Sequence, residues 1–180
     1  MRIVAGKHRG LNLEEFEADN IRPTTDRVRE NIFNKIQFDI PDSSVLDLFA
    51  GTGAVSLEFL SRNAKRVVSV DNNNNSIRVI TKNFAKAKEK PELIKADYKE
   101  AVKQLRGNKF DFIFLDPPYH LGFGSEALEL IAQYELLSED GVIIYEHLVD
   151  TKFDCPDLFE IYDYKKYGTV AVSFIRRKDA

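Results

Sequence analysis

A single cysteine, Cys155, excludes an internal disulfide, and no cysteine or histidine cluster has the spacing of a zinc site. The three histidines, His8, His120 and His147, are scattered, so no metal centre is expected. The opening MRIVAGKHRG lacks the apolar core of a secretory leader, and no apolar run approaches the roughly 20 residues of a membrane span. Internal repeats, low-complexity tracts and linkers are missing as well. These absences leave a soluble, cytoplasmic protein as the expectation. Its 180 residues, 43% apolar and 31% charged, suit one packed domain.

Net charge is −3, which by itself disfavours nucleic acid, but its distribution is uneven. Residues 96–160 hold 14 acidic and 5 basic side chains, whereas residues 61–95 hold 3 acidic and 9 basic. The N-terminus carries Arg2, Lys7, His8 and Arg9, and KKYGTVAVSFIRRK near the C-terminus has five positive charges and no negative one. Basic ends on an acidic body are compatible with a local phosphate-binding surface.

From Ser43 onward, strand and helix patterns alternate. Strands are expected at 44–49, 66–71, 92–97, 110–116 and 141–147, with helices running to about 61 and near 74–88, 99–106 and 124–134. Two last strands, about 158–164 and 169–176, are joined by KKYG and read as an antiparallel hairpin. Short β-branched runs alternating with helices imply an α/β fold, a mostly parallel sheet covered on both faces. Residues 1–40 read as an extension of this core, which spans 41–180. RIVAGKHRGLNLEEF suggests a short strand pair with a basic turn, and RPTTDRVRENIFNKIQFDI a helix opened by Pro23, Thr24 and Thr25. Val28, Ile32, Ile36 and Ile40, with Phe33, give that helix an apolar face.

The turn after the first core strand, Asp47-Leu-Phe-Ala-Gly-Thr-Gly53, allows close ligand approach at Gly51 and Gly53 and leads into a helix N-terminus. Asp47, Asp71 and Asp97 end three successive strands, at the sheet edge where such folds bind ligands. Asp71 suits ribose hydroxyls, and Asp97, with Tyr98 beside it, an adenine. Ser56 occupies the third glycine position of a dinucleotide fingerprint, which argues against a nicotinamide reductase. Asp47 would repel a pyrophosphate but suits the amino group of S-adenosyl-L-methionine, so that methyl donor is the expected cofactor.

The fourth strand runs into Asp116-Pro117-Pro118-Tyr119 at the same edge. Prolines fix φ and have no N–H, so this corner holds acceptors rigidly. Methylation of an exocyclic amine on a nucleobase needs such acceptors. If the Asp116 carboxylate and the Pro117 carbonyl take its two N–H bonds, the nitrogen lone pair is freed toward the methyl group. Tyr119 would stack on the base, with Phe123 or Phe49 as neighbours, and the base must be unpaired or flipped out.

Taken together, DLFAGTG, VVSVD, KAD and FLDPPY resemble a Rossmann-like class I S-adenosylmethionine-dependent methyltransferase of the amino-methylating type. The N-terminal RIVAGKHRG…IRPTTDRVRENIFN and C-terminal KKYGTVAVSFIRR narrow the resemblance to the RsmD family, which modifies the N2 amine of one guanine in bacterial small-subunit ribosomal RNA. The resemblance runs from Arg2 to Arg177. It implies a seven-stranded sheet in the order 3-2-1-4-5-7-6. It also implies a donor site of Asp47, Phe49, Gly51, Gly53, Asp71, Asn72, Asp97, Tyr98 and Asp116, with Arg22, Thr24 and Thr25 beside the donor's tail. Asp116, Pro117, Pro118 and Tyr119 would hold the target base. Lys7, His8, Arg9, Arg176 and Arg177 are the candidate RNA-backbone contacts. The implied partner is small-subunit ribosomal RNA in an assembled or assembling subunit, met by a monomer. Rival readings are an amine methyltransferase for adenine N6 or protein glutamine, and a non-catalytic RNA-binding protein on the same fold.

Overall fold

The computed structural model describes residues 1–16, 26–119 and 121–179. Its sheet has seven strands, β1 (Ser44–Asp47), β2 (Arg66–Asp71), β3 (Glu92–Lys95), β4 (Phe110–Leu115), β5 (Leu137–Leu148), β6 (Phe159–Tyr167) and β7 (Val170–Arg177). They lie in the order β3-β2-β1-β4-β5-β7-β6. The first five pair in parallel, and β7 pairs antiparallel with both β5 and β6. The helices are α1 (Asp26–Ile36), α2 (Ala54–Ser61), α3 (Asn74–Ala87), α4 (Tyr98–Gln104) and α5 (Phe123–Gln133).

Successive strand residues point to opposite faces, and both faces are dry. Leu46, Val68, Ile113, Leu115 and Ile143 join α4 and α5 in one core. Val45, Val67, Phe112, Phe114 and Ile144 join α1 and α2 in the other. Burying each such side chain stabilises the fold by about 1.5–3 kcal/mol, which is why these strands read as unbroken apolar runs. The expected apolar face of α1 is in place, with Val28, Ile32, Phe33, Ile36 and Ile40 all buried. The helix is shorter than its pattern and passes into a 3-10 turn at Gln37–Asp39. Its expected opening at Pro23, Thr24 and Thr25 lies outside the described residues.

One expectation needs correction. The KKYG segment is not the loop of the closing hairpin, because Lys165, Lys166 and Tyr167 continue β6 and Gly168, at φ 65°, makes the turn. The N-terminal strand pair is short, an antiparallel bridge of Arg2 with Asn12 flanked by the bonds Leu13 N to Met1 O, Ile3 N to Leu11 O and Gly10 N to Ile3 O. Its ladder stops because the Val4 and Ala5 amides donate to the Glu58 carboxylate of α2, at 2.9 and 3.2 Å. Gly6, at φ 90°, then lets the chain pass so close to Ser61 that a Cβ would sit 2.0 Å from its carbonyl oxygen. Glu58 is fully buried and also meets Arg62 at 2.9 Å and Arg29 at 4.0 Å. This ion cluster fastens the N-terminal segment to the core. No helix among the described residues is long and apolar enough to cross a membrane.

Candidate functional site

A cleft of about 820 Å³ opens at the carboxyl ends of β1, β2 and β4. Its wall includes Asp47, Phe49, Gly51, Asp71, Asn72, Asp97 and Tyr98, and also Asp116, Pro117, Pro118 and Tyr119. The glycine turn and the proline corner, far apart in sequence, therefore share one cavity. Register explains the meeting: β1 and β4 are direct neighbours, with Asp47 opposite Phe114, so the two loops leave the sheet side by side.

Each part of the glycine turn is braced. Gly51 and Gly53 sit at φ 57° and 81°; Gly53 is the N-cap of α2 and offers no side-chain cap, while the first helical amide, Ala54 N, donates to Thr52 Oγ1 at 3.3 Å. Asp71 accepts from Gly51 N and Asn73 N, both at 2.9 Å, so one carboxylate locks the turn while remaining on the cleft wall. Asn83, fully buried, donates to the carbonyls of Thr52 at 2.8 Å and Glu14 at 3.1 Å, tying the turn to the N-terminal segment. Sequence reading passed over Asn83 and Glu58, since an internal polar residue on an amphipathic helix gives no periodic signal.

Asp47 is 1% exposed. Its Oδ2 accepts from Ser56 Oγ at 2.6 Å, and that hydroxyl also meets Ser69 Oγ at 2.7 Å. Its Oδ1 is buried and has no hydrogen-bond partner among the described residues. Burial chiefly, with the Asp71 charge adding to it, pushes the Asp47 carboxyl up to about 7 although Ser56 opposes the rise. A buried carboxylate with an orphaned oxygen on a cleft wall suits a cationic ligand group, because a cation offsets the desolvation that ionisation costs. Ser56, read as a broken fingerprint, is the residue that orients this acid.

Asp97 caps α4 by accepting from Lys99 N at 2.9 Å, and its exposed side leaves acceptor capacity at the cleft rim. Tyr98 is buried, lies 5.2 Å from the Phe49 ring and 5.1 Å from Phe123, and donates its hydroxyl to Glu126 at 2.6 Å. Burial and this acidic acceptor raise its phenol well above the ordinary range. Phe49, Tyr98 and Phe123 thus form one aromatic wall rather than separate contacts.

Asp116 follows the last residue of β4, and Pro117 is buried while Pro118 is exposed. A second cavity of about 300 Å³ adjoins the cleft, and Pro117, Pro118, Tyr119 and Phe123 line both. Its far wall is the end of β5, Tyr145, Glu146 and His147, which sequence reading did not single out. The signal was present, because β5 ends in polar residues at the same sheet edge as the three aspartates. Burial and then the Asp116 charge push Tyr145 up to about 12, which marks its hydroxyl as a neighbour of that carboxylate. Burial pushes the His147 imidazole below its ordinary value, although the Leu148 carbonyl opposes the shift. Its Nδ1 faces the Leu148 carbonyl at 2.8 Å and donates there, and in the neutral ring Nε2 accepts from Ser173 Oγ at 2.8 Å.

The basic candidates do not gather at the cleft. Arg176 and Arg177 end β7, whose antiparallel course takes them to the amino edge of the sheet, where they pair with Glu160 and Asp179. Lys7 and His8 lie beside Ser61 at the far end of α2 and share Glu89, at 3.1 and 2.9 Å. Arg9 is exposed on the same turn. Arg22, Thr24 and Thr25 lie outside the described residues. Among the described residues no group of three or more His, Cys, Asp or Glu side chains is arranged to hold a metal ion.

Comparison with known proteins agrees with this architecture. The Ribosomal RNA small subunit methyltransferase D of Haemophilus influenzae is 33% identical over 175 residues, covering 95% of this chain and 91% of its own length. The protein of the same name from Escherichia coli K12 is 30% identical over 179 residues, covering 99% and 90%. The solved structure of yhhF from Escherichia coli superposes with a TM-score of 0.89 at 31% identity, covering 100% of this chain and 99% of that one. A family model described as Conserved hypothetical protein 95 matches residues 1–176. The chain therefore belongs to that family, the RsmD-type methyltransferases with the class I Rossmann-like fold.

Proposed function

We propose that the protein transfers a methyl group from S-adenosyl-L-methionine to the exocyclic N2 amine of a guanine in small-subunit ribosomal RNA. The observation that carries this reading is the single cleft shared by the glycine turn and the Asp116–Tyr119 corner. Relatives that cover almost the whole chain are named as methyltransferases of that RNA, which supports the substrate class.

When bound, the donor supplies an electrophilic methyl group on a sulfonium. Asp47 holds its amino group, Asp71 and Asn72 its ribose, and Asp97 its adenine, against the wall of Phe49 and Tyr98. Asp116 and the Pro117 carbonyl accept the two N–H bonds of the target amine. Both acceptors sit on a backbone that the prolines cannot let relax. They localise the nitrogen lone pair and stabilise the positive charge that grows on nitrogen; Asp116 is then placed to take the proton that leaves. Tyr119 stacks on the base. The basic turn Lys7–Arg9 and the β7 pair Arg176 and Arg177 contact RNA backbone away from the cleft, on a monomer working in the cytoplasm on an assembled or assembling subunit.

The test is a comparison of small-subunit RNA from cells with and without the gene. One guanine should lose its N2-methyl group. An unchanged methylation map would remove the proposal, and loss of a methyl from adenine or from a protein glutamine would replace its substrate.

A further inference from the structure

A corner that binds any exocyclic amine must still choose guanine over adenine. Adenine also offers an NH2 group, and Asp116 with Pro117 would grip it equally well. The difference lies one ring atom away. Beside its N2 amine guanine carries N1–H, a donor, whereas adenine's N6 amine is flanked by N1 and N7, both acceptors. A site that prefers guanine needs an acceptor next to Asp116, and one that prefers adenine needs a donor.

We infer that Glu146 is that acceptor and sets the base specificity of the proposed reaction. β4 and β5 are parallel, with Leu115 opposite Tyr145, so Asp116, just past the end of β4, and Glu146, still within β5 and paired with Val172 of β7, are the next residues on the two strands and fall on the same face of the sheet. Neighbouring strands are about 5 Å apart, a separation that two side chains can narrow onto the N2 amine and the neighbouring N1–H of one guanine. Glu146 is 1% exposed and lines the second cavity, Asp116 lines the cleft, and Pro117, Pro118 and Tyr119 line both, so the two carboxylates flank the proline corner from its two sides. The basic RNA-contact candidates are remote; on this cavity wall Lys152 only donates, and the Ser125 hydroxyl already accepts from Asp154 N at 3.0 Å. His147 is committed to Leu148 and Ser173, and Asp150 is exposed at the rim. Glu146 also interacts within the fold, as does Asp116. A carboxylate has about four lone-pair positions, so a partner that orients Glu146 and a guanine N1–H are compatible. Against adenine the same carboxylate would face a ring-nitrogen lone pair, with no proton between two acceptors. Desolvated mismatches of this kind are where hydrogen-bonding sites discriminate most strongly.

The inference rests on the proposed methylation of a guanine amine, and 2-aminopurine separates the two. That base keeps the N2 amine but lacks N1–H. Small subunits reconstituted with guanine or with 2-aminopurine at the modified position are offered to the wild-type protein and to Glu146→Gln. Glutamine keeps the shape and can turn its amide to donate to N1. Wild type should prefer guanine by about 100-fold or more in kcat/KM. Glu146→Gln should lose most of that ratio, by a weaker reaction on guanine and a stronger one on 2-aminopurine. Its affinity for the methyl donor, read by calorimetry, should stay within about twofold of wild type. A wild-type ratio near one, or an equal fall on both bases in the variant, overturns the role of Glu146 and leaves the proposed function standing. Absence of wild-type transfer to guanine sinks the function itself.

Discussion

Asp47 draws its character from burial and from Ser56 together. Its place at the end of the first core strand suggested a cation-binding acid, and its burial with an orphaned Oδ1 supports that use. The Ser56 hydroxyl that steadies it was legible only as a missing glycine. Because burial raises Asp47 to about 7, ionising it in the free protein costs stability. That cost is absent below its ordinary carboxylate value and grows as pH rises toward about 7. A bound cation reverses the balance, so donor affinity should climb about tenfold between about pH 6 and pH 8 as the carboxylate ionises. Calorimetric titrations of wild type and Asp47→Asn check this: the variant should bind weakly with little pH dependence over that range. A second residue-scale contrast separates the two halves of the cleft. Asp71→Ala removes the braces of Gly51 and Asn73 and should weaken donor binding by about 10- to 100-fold, since hydrogen bonds to a charged group contribute about 1.5–3 kcal/mol each. Asp116→Ala should lower single-turnover methyl transfer by about 100-fold or more while donor binding changes little. Equal losses of both properties in both variants would show that the two halves do not divide the work.

At the scale of elements, the helices and strands of the core were legible, since β1, β2 and β4 are buried on both faces and α1, α3 and α5 each bury one apolar stripe. Boundaries shifted where hydrogen bonding rather than hydrophobicity decides them. β5 runs on from Leu137 to Leu148, beyond the apolar run that announced it, and β6 absorbs the lysines read as a loop. The N-terminal strand pair stays short, and no local pattern announces that two backbone amides beyond it turn to Glu58, 54 and 53 residues away. That buried carboxylate joins the N-terminal segment, α1 and α2, so Glu58→Gln should cost about 3 kcal/mol, as breaking a buried ion cluster does. Chemical denaturation would measure the loss, and amide hydrogen exchange should accelerate first at Val4 and Ala5. Unchanged exchange at those two amides would mean that other contacts hold the segment.

Across the whole molecule, the sheet separates two edges. The cleft and the second cavity occupy the carboxyl edge, whereas Arg176 and Arg177 lie at the amino edge, about 20 Å away by the rise of a six-residue strand. Sequence showed which residues were basic but not which edge they would reach, because that depends on the antiparallel return of β7. Their exposed ion pairs with Glu160 and Asp179 are weak and can give way to phosphate. If this edge contacts RNA as proposed, Arg176→Gln with Arg177→Gln should raise KM for small subunits several-fold and leave kcat unchanged. No change in KM would assign the RNA surface to the cleft edge alone. The account as a whole depends on the donor cleft and the proline corner acting together on one guanine amine. Purified protein, labelled methyl donor and small subunits lacking the modification, followed by mass spectrometry of the digested nucleosides, test it most directly. The account predicts one N2-methylguanosine per particle; label recovered in N6-methyladenosine or in protein, or no transfer at all, would contradict it.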